Sequence, residues 1–295
     1  MRAVDAARAA KHRAFLAGRG LAERREALSD AMLARRACRL GPGFDAERHR
    51  EADGQFALAY FLNRVDDTLT DGGLDVPRRI FVAWTGENAL TPNRLAALES
   101  IRAMNASLDV VLVTPENLNE WVVDTHPLHA AYEHLSAVHR SDYLRAYLLH
   151  HHGGGWSDLK RASHDWSPCF DAINADPSVW LLGYPEARSR DVAYLASPLG
   201  REMAARHRTI AANCAFIARP LTPFTAAWLE EVEARLDYYA RSLARHPALD
   251  PFGDGGSYPL PWSALQGLVF QPLQLRFAEH IRLDARLRPA QGDHR

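Results

Sequence analysis

Residues 141–161, SDYLRAYLLHHHGGGWSDLKR, change their periodicity once, and the fold is read outward from that change. Leu144, Tyr147, Leu148 and His151 recur at three- and four-residue spacing, the stripe of a helix that buries one face. Gly153, Gly154 and Gly155 end it: the first suits a left-handed cap, and the others let backbone approach closely. Trp156 then opens a short strand, whose alternation sends Asp158 and Lys160 out on the same side. A carboxylate and an ammonium just after a glycine turn suit a phosphate-bearing ligand, with or without a metal ion.

Upstream, Ile80–Trp84 is a short apolar run before Thr85-Gly86, the form of a buried parallel strand that ends at a ligand crevice. Thr91-Pro92 starts a helix whose Leu95, Leu98, Ile101 and Met104 are expected to face inward, and Val110–Val113 follows as a second strand. Strand, helix and strand in this order make a βαβ unit and hence a parallel sheet, whose ligands lie beyond the carboxyl ends of the strands. Downstream, 180–184 and 215–218 read as further strands, and Leu229, Val232, Leu236, Tyr239 and Leu243 form one stripe of a helix over 225–245. DPFGDGGSY, residues 250–258, is a loop by composition; Pro261-Trp262 is expected to open a helix to about Phe270. The charged tail from Arg276 is expected to be partly ordered.

Residues 1–76 differ in texture. They are rich in Ala, Arg and Leu and read as two or three helices broken near Gly18–Gly20 and Gly41–Gly43, with a polar linker from Asp66 to Gly73. The first 40 residues hold ten Arg/Lys against four Asp/Glu. Two readings stay open for them: a peripheral contact with an anionic membrane, and a helical cap on the domain that starts at residue 77.

A formal net charge of −1 carries no general signal for nucleic acid as a partner. The three cysteines, Cys38, Cys169 and Cys214, have no metal spacing and point to a reducing, cytoplasmic setting. No apolar run reaches the ~18 residues of a membrane span, and no signal-peptide core stands at the N-terminus. Of 35 basic residues only Lys11 and Lys160 are lysines, which singles out the one after Asp158.

SDYLR, HHHGGGW and SDLK, together with RIFVAWTGE (79–87), NCAFIARPLTP (213–223) and YPLPWSALQGLVFQPL (258–273), resemble the capsular polysaccharide synthesis proteins. These are bacterial relatives of the family thirty-two glycosyltransferases, and the resemblance spans roughly residues 78–273. It implies a GT-A-like α/β fold, a mostly parallel Rossmann-type sheet with flanking helices, over 77–295. It also implies transfer of a hexosyl group, with retention, from a nucleotide-diphosphate sugar to a saccharide or lipid-linked acceptor. In such enzymes the position of Asp158 begins an Asp-x-Asp motif that holds Mn or Mg against the donor diphosphate; here the second acid is replaced by Lys160.

The resemblance carries Asp158 as a catalytic residue and metal ligand; Lys160, which departs from it, is expected to act beside Asp158 on the same phosphate-bearing ligand. Trp84, Thr85, Gly86, Asp142, Arg145, Gly154, Gly155 and Asn213 fall on the donor side, and Asp254 and Trp262 on the acceptor side. Gln271 stands where related enzymes bring a histidine toward the metal. His150, His151 and His152 point about 100° apart on a helix and cannot converge on one ion; with His126 and His129 they read as packing and capping groups. Ser257 and Ser263 lack the elbow of a serine hydrolase. Two other functional classes remain: a sugar-binding relative without activity, and a membrane-docked scaffold.

Overall fold

The computed structural model describes residues 2–37, 43–45, 60–63 and 73–290. Helix α1 (Arg2–Ala37) precedes strand β1 (Arg79–Ala83), helix α2 (Pro92–Met104) and strand β2 (Asp109–Val113). Helix α3 (Ala137–His151), strand β3 (Gly154–Ser157), helix α4 (Ser167–Ala175) and strand β4 (Leu181–Pro185) follow. Helix α5 (Pro198–Ala205), strand β5 (Ala211–Ala218), helices α6 (Pro223–Arg245) and α7 (Gly267–Arg276) and strand β6 (Ile281–Leu283) complete the order.

The six strands form one sheet in the order β2-β1-β3-β5-β4-β6. β5 runs against both its neighbours, β3 and β4, and every other pairing is parallel. The α/β class with a mostly parallel sheet is therefore the observed one. Alternation along the strands feeds two apolar layers. Phe81, Trp156, Phe216 and Ala218 face a layer shared with α3, α6 and α7. Ile80, Val82, Ala215 and Ile217 face the other, with Leu98 and Ile101 of α2 and Phe170 and Ile173 of α4.

Local chemistry explains the boundaries. Thr91 caps α2, its hydroxyl accepting from Arg94 N, with Pro92 in the first turn. Ser136 caps α3 in the same way, accepting from His139 N, and Thr222 and Thr225 make a reciprocal capping box on α6. Gly153 adopts φ +63° just past α3, and Gly154, at φ +108°, lies so close to β1 that an added Cβ would sit 2.8 Å from Arg79 O. Only glycine joins helix to strand there.

Several expectations need correction. α3 is buried on all sides rather than along one stripe: His139, Asp142, Tyr143, Leu144, Arg145 and Tyr147 are all inside. In α2, Leu98 and Ile101 are buried but Leu95 and Met104 are exposed, because Ala97 takes the inward place. α1 runs unbroken through Gly18 and Gly20; each costs about 1 kcal/mol in a helix interior, too little to break one flanked by good helix formers.

The helix expected from Pro261 begins instead at Gly267 and carries Pro272 inside it. Pro272 has no N–H for Leu268 O, and Arg235 Nη2 donates to that carbonyl at 3.3 Å in its place. The tail supplies the sixth strand: β6 pairs with β4, and Leu287 is fully buried.

Of the N-terminal region, α1 packs near α5, with Glu26 against Arg190 at 3.0 Å and Asp30 accepting from Ser189 N at 3.4 Å. Phe61 and Leu62 are buried in the core. The helix break at 41–42 and the linker residues 66–72 lie outside the described residues. No helix among the described residues is long and apolar enough to cross a membrane.

Candidate functional site

The carboxyl ends of β1, β3 and β4 and the amino half of β5 share one edge of the sheet. In the β1–β3 register Phe81 lies opposite Trp156, so Asp158 falls level with Ala83, one residue before Trp84. β3 ends at Ser157. Asp158 N still reaches Cys214 O at 2.8 Å, and the chain then turns tightly, with Lys160 N on Asp158 O at 2.6 Å. Strand alternation therefore does not extend to Lys160. The turn itself brings Lys160 Nζ to 3.5 Å from Asp158 Oδ2, with both side chains about three-tenths exposed, at 27% and 29%.

Arg145 organises the cluster from α3. Its Nη2 lies 3.1 Å from Asp158 Oδ1 and 3.5 Å from Asp142 Oδ1. Its Nη1 donates to Asn213 O at 2.5 Å, and its guanidinium covers the Trp156 ring at 4.8 Å. Trp156 Nε1 donates to Asp158 Oδ1 at 3.2 Å. One buried arginine thus joins helix, strand end and β5, in the planar geometry that suits carboxylates and phosphates.

Electrostatics differ between the two acids. Burial, opposed by Arg145 and reinforced by the charge on Asp158, raises Asp142 to about 7. Burial pulls the Lys160 ammonium down, but Asp158 and the Cys214 sulfur outweigh it and hold the pKa above the ordinary lysine value. Beside them Tyr184 OH meets Cys214 Sγ at 2.7 Å. Past the end of β4, burial and the nearby Asp191 raise Glu186 to about 7, although Gln271 and Lys160 oppose the shift.

Thr85 is buried, and its hydroxyl donates to Ala137 O at 2.6 Å, tying the end of β1 to the first turn of α3. Trp84 Nε1 donates to Asn88 O at 2.6 Å across the Gly86 turn, where an added Cβ would meet Asn88 Oδ1 at 2.7 Å. Arg94 Nη1 donates to Leu159 O at 2.7 Å and closes the same edge from α2. Asn213 offers its carbonyl to Arg145 and its side-chain oxygen to Gln266 Nε2, at 3.4 Å.

Gly154 and Gly155 do not belong with these groups. Both are buried at the amino end of β3, against Arg79 O, Ile80 and Trp166, so their lack of a side chain serves strand packing rather than ligand approach. Asp254 and Trp262 are exposed on the neighbouring surface. Gln271 is fully buried, donates to Glu186 Oε1 at 3.0 Å and accepts from Ala193 N at 2.7 Å, so it holds a carboxylate in place.

The histidines also have partners elsewhere. His152 caps α3 and reaches Trp121 O at 2.8 Å; His126 pairs with Glu233 and His129 with Asp237. Sequence reasoning missed Trp156, Cys214, Tyr184 and Glu186. Trp156 precedes Asp158 by two residues, which strand alternation alone puts on the same side; the other three carry no signal until β4 and β5 are laid beside β3.

A sequence model described as "Capsular polysaccharide synthesis protein" matches residues 66–159, the stretch that holds Trp84, Asp142, Arg145 and Asp158 and stops one residue short of Lys160. No curated protein matches the chain. Among solved structures, "PaToxG Glycosyltransferase" is similar at a TM-score of 0.37 and 9% identity, over 84% of this chain and 79% of that one.

Proposed function

We propose that the chain is a glycosyltransferase of surface polysaccharide assembly, working at the cytoplasmic side. It moves a hexosyl group from a nucleotide-diphosphate sugar to a saccharide or lipid-linked acceptor, with retention at the anomeric carbon. The observation that carries this reading is Arg145 held between Asp142 and Asp158 with Lys160 alongside, at the carboxyl edge of a mostly parallel sheet. The family match over the segment that contains three of these four residues supports it.

In such a transfer the bond from the anomeric carbon to the diphosphate breaks, and its electron pair leaves on the phosphate oxygen. The acceptor hydroxyl forms the new bond, and its proton passes to the departing diphosphate. Positive charge placed at the leaving group lowers this barrier more than a strong base does. Lys160 supplies that charge: it pairs with Asp158 in the empty protein and turns to the diphosphate when the donor arrives. Asp158 positions Lys160 and Arg145 and faces the sugar; Asp142, neutral or charged near pH 7, contacts donor hydroxyls from α3.

The residues around Asp158 do not fit a divalent ion. Its carboxylate already accepts from Arg145 and Trp156 and pairs with Lys160, and the position of a second acid holds an ammonium. A divalent ion and an ammonium about 4 Å apart repel by roughly 8 kcal/mol at an effective dielectric near 20. Asp165 is turned to the start of α4, accepting from Ser167 N at 2.9 Å, and among the described residues no three His, Cys, Asp or Glu side chains gather as a metal site. No step is therefore assigned to a metal.

Incubation of the full chain with a panel of nucleotide sugars tests the proposal. Release of nucleotide diphosphate, even slowly and without acceptor, supports the transferase. Binding without release supports instead a sugar-binding relative that has lost activity.

A further inference from the structure

Phe252 and Trp262 are 54% and 58% exposed, large apolar rings left in solvent. They nonetheless lie side by side, with centroids 6.4 Å apart and 29° between their planes. Neither sits on a loose segment. The Asp250 carboxylate accepts from the backbone N–H groups of Phe252, Gly253, Asp254 and Gly255 at 2.6–3.3 Å. Gly253 and Gly256 take φ +76° and +72° to let the chain wrap around it, and a Cβ on Gly253 would strike the Tyr258 ring at 2.7 Å.

The pair is anchored beside the candidate site. Val138 N donates to Pro251 O at 3.1 Å, and His139 Nε2 lies 3.2 Å from Pro261 O. Tyr258 OH joins His139 Nδ1 at 2.9 Å and Ser136 N at 3.3 Å. His139 precedes Asp142 by one helical turn on the same side of α3. At its other end the segment carrying Trp262 reaches Asn213 through Gln266. Residues 258–266 therefore run from His139, one turn before Asp142, to Asn213, whose carbonyl meets Arg145; they carry Trp262, against which Phe252 of the preceding loop is placed.

We propose that Phe252 and Trp262 form a platform for the acceptor, stacking against the C–H face of a sugar ring; this rests on the transferase reading above. The C–H hydrogens of a pyranose carry slight positive charge and match the electron-rich face of an aromatic ring. Fixed rings lose little freedom on binding, and Asp254, exposed on the same loop, offers an oxygen to sugar hydroxyls. A saccharide fits this better than an apolar chain, because the pair is two rings with the exposed carboxylate of Asp254 on the same loop, which offers both a stacking face and a polar contact.

Saturation-transfer NMR on the full chain, with maltose, cellobiose, lactose and chitobiose as probes, tests the platform. The expected result is transfer to the ring protons of at least one sugar, with affinity weakened about tenfold in Trp262→Ala, weakened also in Phe252→Ala, and largely restored in Trp262→Phe. Circular dichroism of each variant confirms that it is folded. No transfer to any of these sugars, or transfer that survives both alanine variants, overturns the platform. A parallel thermal-shift series with nucleotide sugars keeps the two ideas apart. Donor binding without saccharide binding sinks the platform alone; saccharide binding without donor binding sinks the transferase and with it the acceptor role, leaving the rings as a saccharide-binding site.

Discussion

Arg145 and Asp158 meet between a helix and a strand end, Nη2 to Oδ1 at 3.1 Å, although thirteen residues and a glycine break separate them in the chain. The arginine side chain is only 6% exposed, and Asp142, at 9%, shares it. Removing the guanidinium leaves Asp142 and Asn213 O without their donor and takes one of three partners from Asp158. Arg145→Ala should therefore cost about 3 kcal/mol in urea unfolding and abolish transfer. Arg145→Lys should recover part of the stability but little activity, because an ammonium cannot span both carboxylates and the carbonyl.

Asp158→Asn keeps the shape and removes the charge. Transfer should fall below about a tenth of the wild-type rate, a loss of more than 1.4 kcal/mol, with little change in melting temperature. Kinetics and a melting curve on the same preparation check both halves of this expectation.

Lys160→Ala should weaken donor binding strongly, while a chelator should leave activity largely intact. The paired measurement is nucleotide-sugar titration of the variant and an activity assay of the wild type in EDTA. Complete loss in chelator, restored by manganese, would contradict the charge assignment.

Asp142 gives a stability profile with a definite sign. Its pKa is raised from 3.8 to about 7, so the folded state holds more protons than the unfolded one between these values. Its contribution is fully present below the unfolded value and is lost as pH rises through about 7. The full shift corresponds to at most about 4 kcal/mol. Asp142→Asn, which mimics the neutral form, should flatten the decline between about pH 4 and 7 in urea midpoints. Glu186, raised to about 7 by burial, should leave a smaller slope of the same sign.

Two glycine substitutions should act in opposite directions. Gly154→Ala meets Arg79 O at 2.8 Å in a conformation that L residues avoid, and should destabilise by roughly 2 kcal/mol or more. Gly18→Ala, with nothing within 4 Å in the middle of α1, should stabilise by up to about 1 kcal/mol. Melting temperatures of the two variants suffice.

That contrast marks what could be read from the chain. The β1–α2–β2 unit and the α3–glycine–β3 turn were legible because short apolar runs, the Thr91-Pro92 cap and a glycine break each constrain local backbone. Gly18 and Gly20 looked equally like breaks, but a cost near 1 kcal/mol each is outweighed by the residues around them. Pro272 pointed away from a helix whose freed carbonyl Arg235, 33 residues earlier, now satisfies; no local signal announces such a partner. β6 was hidden in a charged tail because three residues are enough when β4 offers a free edge. In the site, Asp158 and Arg145 were visible as motif residues, but their meeting, and the places of Cys214, Tyr184 and Glu186, depend on pairing across β3, β5 and β4. Gly154 and Gly155 resembled a ligand loop and turned out to be strand packing.

The central claim is that the Asp142–Arg145–Asp158–Lys160 cluster receives a nucleotide-diphosphate sugar. A thermal-shift screen of wild type and Lys160→Ala against such sugars tests it most directly. At 100 times its dissociation constant a true donor stabilises the fold by about 2.7 kcal/mol, so the account predicts a clear rise in melting temperature for at least one nucleotide sugar, lost in Lys160→Ala. A rise of the same size in the variant, or no rise in the wild type with any nucleotide sugar, would contradict it.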